Sequence, residues 1–306
     1  MAMGFSEAEV ITLLQKVFAT SDPRLIVGIG DDAAVIQGAP KQVITTDVAV
    51  AGVHFRTEWS SAFDIGRKIT AANLADVLSM GATCEYLVAA VTLTGSEDLL
   101  WIEQLALGMK SEADRVGALI VGGDITRSAV ITIAMTAVGH CDTPILRSGA
   151  RPGDDLFISS LPGWSAAGLA ILSKELPTSG ELATKAVAEF SAPTLDYDLD
   201  FSKATAMCDI SDSLLVQGQQ LAEASGICLH LDTALMQSAP EFAELLSLAT
   251  ATDSDIWGWV LAGGEDHVFL ATGKDLPGIK IGSVIAGTGI SGVEMKKAPV
   301  SWSHFN

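Results

Sequence analysis

Residues 147–155 read RSGARPGDD, and the texture of the chain changes there. Glycine and proline are the strongest local punctuators of a polypeptide. Crowded together with charge, they mark a junction between two folded parts, 1–147 and 148–306. On both sides of it helical and strand patterns alternate. Upstream, Ser6-Glu7-Ala8-Glu9 has the form of a capping box, and Val10, Leu13, Leu14, Val17 and Phe18 follow at helical spacing. Strands are expected over Asp32–Ile36 and Val43–Val50, then a helix over Asp64–Met80 stopped by Gly81. A strand over Tyr86–Leu93 comes next, then a helix capped by Ser96 that runs to Arg115, with Gly117 past its end. Strands Leu119–Val121 and Val130–Val138 around a GGD turn (122–124) close the first part. Downstream come a strand over Leu156–Ser160 and a helix over Trp164–Glu175, behind PGWSAAG. A second helical region, a strand–helix–strand unit from Ala204 to Leu231, and a strand near Trp259–Thr272 follow. The expected class is α/β, layered in the α/β or α+β manner, in two domains.

Composition narrows the function. The 306 residues are 49% hydrophobic, enough for a substantial core. No apolar run reaches the ~20 residues of a membrane span; the longest candidate, Ala118–Val138, is interrupted by Asp124 and Arg127. The opening MAMGFSEAEV has no basic-then-apolar leader pattern. Four cysteines are scattered without a C-x-x-C pair, which fits a reducing cytoplasm and argues against a thiolate zinc site. The formal net charge is −19. A field of that sign repels nucleic acid and anionic membranes, and it admits a phosphorylated substrate only if cations come with it.

The acids recur in one kind of place, next to apolar strands or on apolar helices. They occur in GIGDDAAVI (28–36), VITTDVAVAG (43–52), AANLADVLSMGA (71–82), LIVGGDITR (119–127), AMCDISDSLL (206–215) and LAGGEDHVFL (261–270). Taken singly, each has an ordinary reading. Asp124 could close a hairpin, Asp212 could cap a helix beginning at Ser213, and Asp209 could be a turn acid. Asp76 is harder to dismiss, because its helix is lined with Ala, Leu, Val and Met. Asn73 lies three residues earlier on the same face. A buried carboxylate without a partner costs several kcal/mol, so such groups are paired or bind metals. Basic partners are few: Arg67, Lys68, Arg127 and Arg147. Ion pairing and metal ligation both stay open for Asp76 at this level.

Together the acids suggest hard divalent cations such as Mg²⁺, held by carboxylates plus substrate phosphates. Other nucleotide devices are missing. There is no G-x-x-x-x-G-K-[ST], no kinase-type glycine loop followed by a strand lysine, no H-E-x-x-H, and no D-x-[DN]-x-[DN]-G calcium loop.

In this order and spacing, GIGDDAAVI, TTDVAVAGVHF (45–55), NLADVLSMGA (73–82), VGGDITR (121–127), RSGARPGDDLFIS (147–159), PGWSAAGLAIL (162–172), CDISDSL (208–214) and AGGEDH (262–267) resemble the thiamine-monophosphate kinase family. The resemblance runs from about residue 28 to the end. Single motifs are shared with relatives such as aminoimidazole ribonucleotide synthetase and selenophosphate synthetase. Another ATP-dependent enzyme of that wider group, aminoimidazole ribonucleotide synthetase for example, is the alternative reading.

The resemblance implies Mg²⁺-assisted transfer of the γ-phosphate of ATP onto thiamine monophosphate, giving thiamine diphosphate, the last step of its biosynthesis. It implies a cytoplasmic homodimer with the aminoimidazole ribonucleotide synthetase-like fold. An N-terminal domain (1–147) would bind ATP and Mg²⁺ and dimerise through its sheet; a C-terminal domain (148–306) would close the active site. Carried over motif by motif, Asp32, Thr45, Thr46, Asp47, Asp76, Asp124, Asp209 and Asp212 match the metal cluster. Gly123, Asp124, Arg147 and Ser211 match nucleotide contacts, and His54, Glu265 and Trp302 match the thiamine monophosphate site. Residues alternate faces along a strand, so Asp31 is left as a neighbour of Asp32. Three departures stand out: Ser213 where the family usually has glycine, Thr194 after Pro193 where arginine is usual, and Asp266-His267 in place of an aspartate–tyrosine pair.

Overall fold

The computed structural model describes residues 7–27, 29, 35–39 and 41–293. Ser6 of the capping box, Asp31, Asp32 and Trp302 lie outside the described residues, as does most of the Asp32–Ile36 strand. Two compact units divide the chain. One runs up to Leu78 and continues over Ala82–Asp142; the other takes Ser79–Gly81 and the chain from Thr143 onward. The division falls just upstream of RSGARPGDD.

The first unit holds α1 (Glu7–Val17), β1 (Leu25–Val27), β2 (Val35–Ile36), β3 (Gln42–Val50), α2 (Ala62–Ser79), β4 (Thr83–Leu93), α3 (Leu99–Ala113), β5 (Leu119–Arg127) and β6 (Thr132–His140). The four long strands form a sheet in the order β3-β6-β4-β5. The β4–β5 pair is parallel, with α3 as its crossover, and the other pairs are antiparallel. Alternation sorts each strand into two faces. Along β6, Ile133, Met135 and Ala137 are fully buried, while the residues between them are half-exposed. On β3 the outward positions include Ile44, 64% exposed, and Val48, 49% exposed.

The second unit holds β7 (Asp155–Ile158), α4 (Trp164–Ser173), α5 (Glu181–Ser191), β8 (Ala206–Ile210), α6 (Leu214–Ser225), β9 (Cys228–Leu231), α7 (Thr233–Gln237), α8 (Pro240–Ala251), α9 (Ile256–Ala262), β10 (Val268–Gly273), β11 (Ile279–Ile285) and β12 (Gly289–Ser291). Its sheet runs β12-β9-β11-β7-β10-β8, antiparallel except for β12 against β9. One continuous core joins strand residues such as Leu156, Ile158, Ile210, Leu270 and Ile281 to Trp164, Leu221, Leu245 and Trp259 of the helices. The mixed α/β architecture in two parts agrees with the expected class.

Several local expectations are corrected. Asp98, not Ser96, caps α3, accepting from the Trp101 amide at 2.8 Å. Ser96 instead belongs to a loop organised by the Glu97 carboxylate, which takes the Thr94 and Gly95 amides. The GGD segment is no turn: it lies inside β5, and Gly122, Gly123 and Asp124 pair with Val88, Ala89 and Ala90. Ser213, not Asp212, caps α6, its hydroxyl accepting from the Val216 amide. The strand expected near Trp259–Thr272 begins only at Val268. Its first part is helical because Asp255 caps the Trp257 amide and Ile256, Trp259 and Val260 bury one helical face.

Candidate active site

In the first unit the geometry starts from β3 and α2. Thr45 and Asp47 sit on the half-buried side of β3. The Thr45 hydroxyl donates to Asp76 Oδ2 on α2 at 2.6 Å. Asn73, one turn before Asp76, is fully buried; its Nδ2 donates to the Ile69 carbonyl, and its Oδ1 has no partner among the described residues. Thr46 is not brought to this group. It points to the opposite face, where its hydroxyl donates to the Met135 carbonyl and accepts from Thr136.

The cross-sheet rows sort the rest. Asp47 pairs with Met135, Met135 with Ala89, and Ala89 with Gly123, so Gly123 shares the face of Asp47. Asp124 falls in the next row, with Val48, Ala134 and Ala90, on the outer face. A Cβ on Gly123 would lie 1.9 Å from the Ala89 carbonyl oxygen, so only glycine lets β5 approach β4 this closely.

Past the end of β3 the chain turns through 51–55. The Val50 amide donates to His54 Nδ1 at 3.0 Å, which makes Nδ1 the acceptor of the ring. Beyond it Arg56 lies over the Trp59 ring at 4.4 Å. Ala51, Gly52, Arg56, Thr57, Glu58 and Trp59 line a depression of about 410 Å³. A larger hollow of about 560 Å³ lies between α1 and α3 and includes none of the candidate residues.

In the second unit two segments are fastened together. Strand β8 is buried throughout and delivers Asp209, 3% exposed, near its end. Ser211 and Asp212 follow, before the Ser213 cap. Gln217 holds this turn: its Oε1 accepts the Ser213 amide, and its Nε2 reaches Ser211 Oγ and Asp212 Oδ2 at 3.2 and 3.3 Å. Against it lies the segment 263–267. The Glu265 amide donates to the Ser211 carbonyl at 2.6 Å and the His267 amide to that of Ile210 at 3.0 Å. A Cβ on Gly264 would meet the Ser211 and Asp212 carbonyl oxygens at 2.5 and 2.6 Å. Glu265 and His267 both have left-handed backbones, with φ of +68° and +52°.

Asp266 lies between them, buried, and accepts the Gly163 and Ser165 amides at the start of α4. Burial outweighs those two bonds and raises its carboxyl to about 6. His267 Nδ1 lies 3.0 Å from Asp209 Oδ2, with both side chains buried. Arg147 is exposed; its carbonyl accepts from Ser225, and its side chain hydrogen-bonds the buried Cys208 thiol, which burial pushes up to about 12. Asp209, Ser211, Asp212 and Glu265 thus share one fastened loop pair. Sequence reasoning took His267 only as a departure and missed Gln217; a buried-looking polar residue four positions after a capping serine was the available signal.

Among the described residues no three His, Cys, Asp or Glu side chains converge to hold an ion. The donors are hydroxyl and carboxylate oxygens, and a buried Asn73 oxygen without a partner among the described residues lies one turn from Asp76. That set fits Mg²⁺, which takes one or two protein carboxylates and keeps water and substrate oxygens.

Residues 30–141 match the model of the AIR synthase related protein N-terminal domain. A thiamine-monophosphate kinase of Mycobacterium tuberculosis is 37% identical over 254 residues, covering 81% of this chain and 74% of that protein. The chain belongs to the thiamine-monophosphate kinase family. The crystal structure of the family member from Stenotrophomonas maltophilia K279a superposes with a TM-score of 0.80 at 29% identity, covering 94% of this chain and 97% of that one. AaThiL complexed with AMPPCP and TMP gives 0.79 at 28% identity, covering 99% and 97%. These similarities span both units, so family membership rests on far more than the N-terminal match. Among the described residues no helix is long and apolar enough to cross a membrane.

Proposed function

We propose that this chain transfers the γ-phosphoryl group of ATP to the phosphate of thiamine monophosphate, giving thiamine diphosphate and ADP. The observation that carries the reading is the 37% identity to a thiamine-monophosphate kinase across most of both chains. The similarity to AaThiL complexed with AMPPCP and TMP supports the same pair of substrates.

The acceptor oxygen belongs to an already ionised phosphate, so the reaction requires no general base. The protein must align donor and acceptor and offset the charge between two anions. We assign Thr45, Asp47, Asp76, Asp209 and Asp212 to metal binding, with Asp32 added from the resemblance; Thr46 and Asp124, on the outer face, are left out. Mg²⁺, when bound, would neutralise phosphate charge and template the two reactants. Thr45 orients the Asp76 carboxylate by donating to Oδ2. Gly123, Arg147 and Ser211 supply nucleotide contacts. His54 and Glu265, with Trp302, are assigned to the thiamine monophosphate side. Transfer is direct and in line, with no phospho-enzyme.

We further propose that the chain works as a homodimer in the cytoplasm. The exposed apolar face of β3, carrying Ile44 and Val48, supports the assembly. The described cysteines are all free, as a reducing compartment requires.

Incubation with ATP, Mg²⁺ and thiamine monophosphate, followed by chromatographic detection of thiamine diphosphate, tests the activity. Absence of product under conditions where the protein is folded would overturn it. Label retained on the protein after incubation with γ-labelled ATP alone would overturn direct transfer.

A further inference from the structure

We propose that His267 is a positioning residue for Asp209, fixing the direction in which that carboxylate presents its second oxygen. The inference rests on the reading of Asp209 as a metal ligand, and it adds a residue that the reading does not contain.

Three observations carry it. First, His267 Nδ1 and Asp209 Oδ2 are 3.0 Å apart, with side chains only 8% and 4% exposed. A buried carboxylate needs a donor, and this imidazole occupies one of its two oxygens. Oδ1 is thereby the oxygen left to face another ligand. Second, the histidine is held in place by its backbone. Its amide donates to the Ile210 carbonyl, and the next residues pair in register, Val268 with Ile210 and Phe269 with Asp209. The backbones of the two partners are therefore anchored to the same ladder, which fixes the separation of their Cα atoms. Third, the backbone at 267 is left-handed, φ +52°, as is Glu265 at +68°. Such a conformation costs of order 1 kcal/mol in a non-glycine residue and persists where surrounding contacts over-determine it. Here those contacts are the two amides to 210 and 211 and the Asp266 carboxylate on Gly163 and Ser165. The strained turn delivers the imidazole to Asp209.

The chemistry is that of a ligand oriented by a hydrogen bond from behind. Loss of such a partner typically lowers metal affinity about 10- to 100-fold. A residue that only fills space would not show this, since any side chain of similar volume would replace it.

The test uses Mn²⁺ alone as the probe, with free ion counted by electron paramagnetic resonance at fixed pH. Four full-length proteins are compared: wild type, Asp209→Asn, His267→Leu and His267→Asn. Asparagine tolerates a left-handed backbone and can put a donor near the Nδ1 position. The expected result is at least tenfold weaker Mn²⁺ binding in Asp209→Asn and His267→Leu, with His267→Asn within about threefold of wild type. If Asp209→Asn binds as wild type does, the metal reading of Asp209 fails and the inference goes with it. If Asp209→Asn is weakened while His267→Leu is not, the metal reading survives and the positioning role is overturned. Equal loss in His267→Leu and His267→Asn, with both folded, also overturns it. Should His267→Leu fail to fold, long-range ¹H–¹⁵N spectra of the wild type decide the matter. A proton on Nδ1 is expected, and a neutral ring protonated only on Nε2 would overturn the proposal.

Discussion

The Thr45 hydroxyl on β3 donates to Asp76 Oδ2 on α2 at 2.6 Å, tying a strand to the helix that covers it. The bond fixes one oxygen of a half-buried acid. Asp76→Asn and Asp47→Asn are each expected to reduce turnover by about 10³-fold or more with the fold retained, because charge neutralisation between two phosphates is the main work of the site. Thr45→Val removes one charge-assisted hydrogen bond, worth about 1.5–3 kcal/mol, and should cost about 10- to 100-fold. Steady-state rates across a Mg²⁺ series check this. Near-normal turnover of Asp76→Asn at saturating Mg²⁺ would sink the metal assignment.

Adjacent glycines on β5 predict opposite outcomes. A Cβ at Gly123 meets the Ala89 carbonyl oxygen at 1.9 Å, while one at Gly122 meets only Val88 Cγ1 at 3.8 Å. Gly123→Ala should destabilise by about 1–3 kcal/mol through overpacking. Gly122→Ala should be neutral or slightly stabilising, since alanine restricts the unfolded chain. Urea midpoints of the two variants settle the contrast, and equal effects would contradict the close β4–β5 approach.

Much of the layer pattern was legible from periodicity, and the misses share a cause. Hydrophobic runs without polar interruption do not declare their period, so Trp259-Val260-Leu261 read as strand until the Asp255 cap is seen. Two glycines before an aspartate resemble a turn by composition, yet Gly122-Gly123-Asp124 continue a strand, in which a close neighbour requires glycine at 123 alone. Acids next to apolar runs singled out Asp76, Asp209 and Asp212. Which face each takes depends on register across four strands, and no single segment encodes that. Thr46 and Asp124 fall on the outer face for this reason.

The buried Asp266 predicts a pH dependence of stability with a definite sign. Its carboxyl rises from 3.8 to about 6 on folding, mainly through burial. The native state therefore holds the proton more tightly than the unfolded chain. The resulting stabilisation is complete below pH 3.8 and is lost as pH rises through about 6. Relative to Asp266→Asn, wild type should lose up to about 3 kcal/mol between pH 4 and 7. Chemical denaturation of both proteins across that range measures the difference; a flat difference would show an ordinary carboxyl.

The outer face of β3 predicts the assembly state. Ile44→Glu combined with Val48→Glu places charge on two exposed apolar positions. Light scattering should find the wild type dimeric and the double variant monomeric, with the fold intact by circular dichroism. A monomeric wild type at micromolar concentration would remove the proposed interface.

Strand β3 carries Thr45 and Asp47 on one side and Ile44 and Val48 on the other, in strict alternation. A one-residue slip would exchange the two sets, bringing leucine-like surface to Asp76 and acid to the outer face. The proposed phosphate chemistry and the proposed self-association thus depend on the same phase along one ribbon. Any insertion or deletion between Gln42 and Val50 would disrupt both at once.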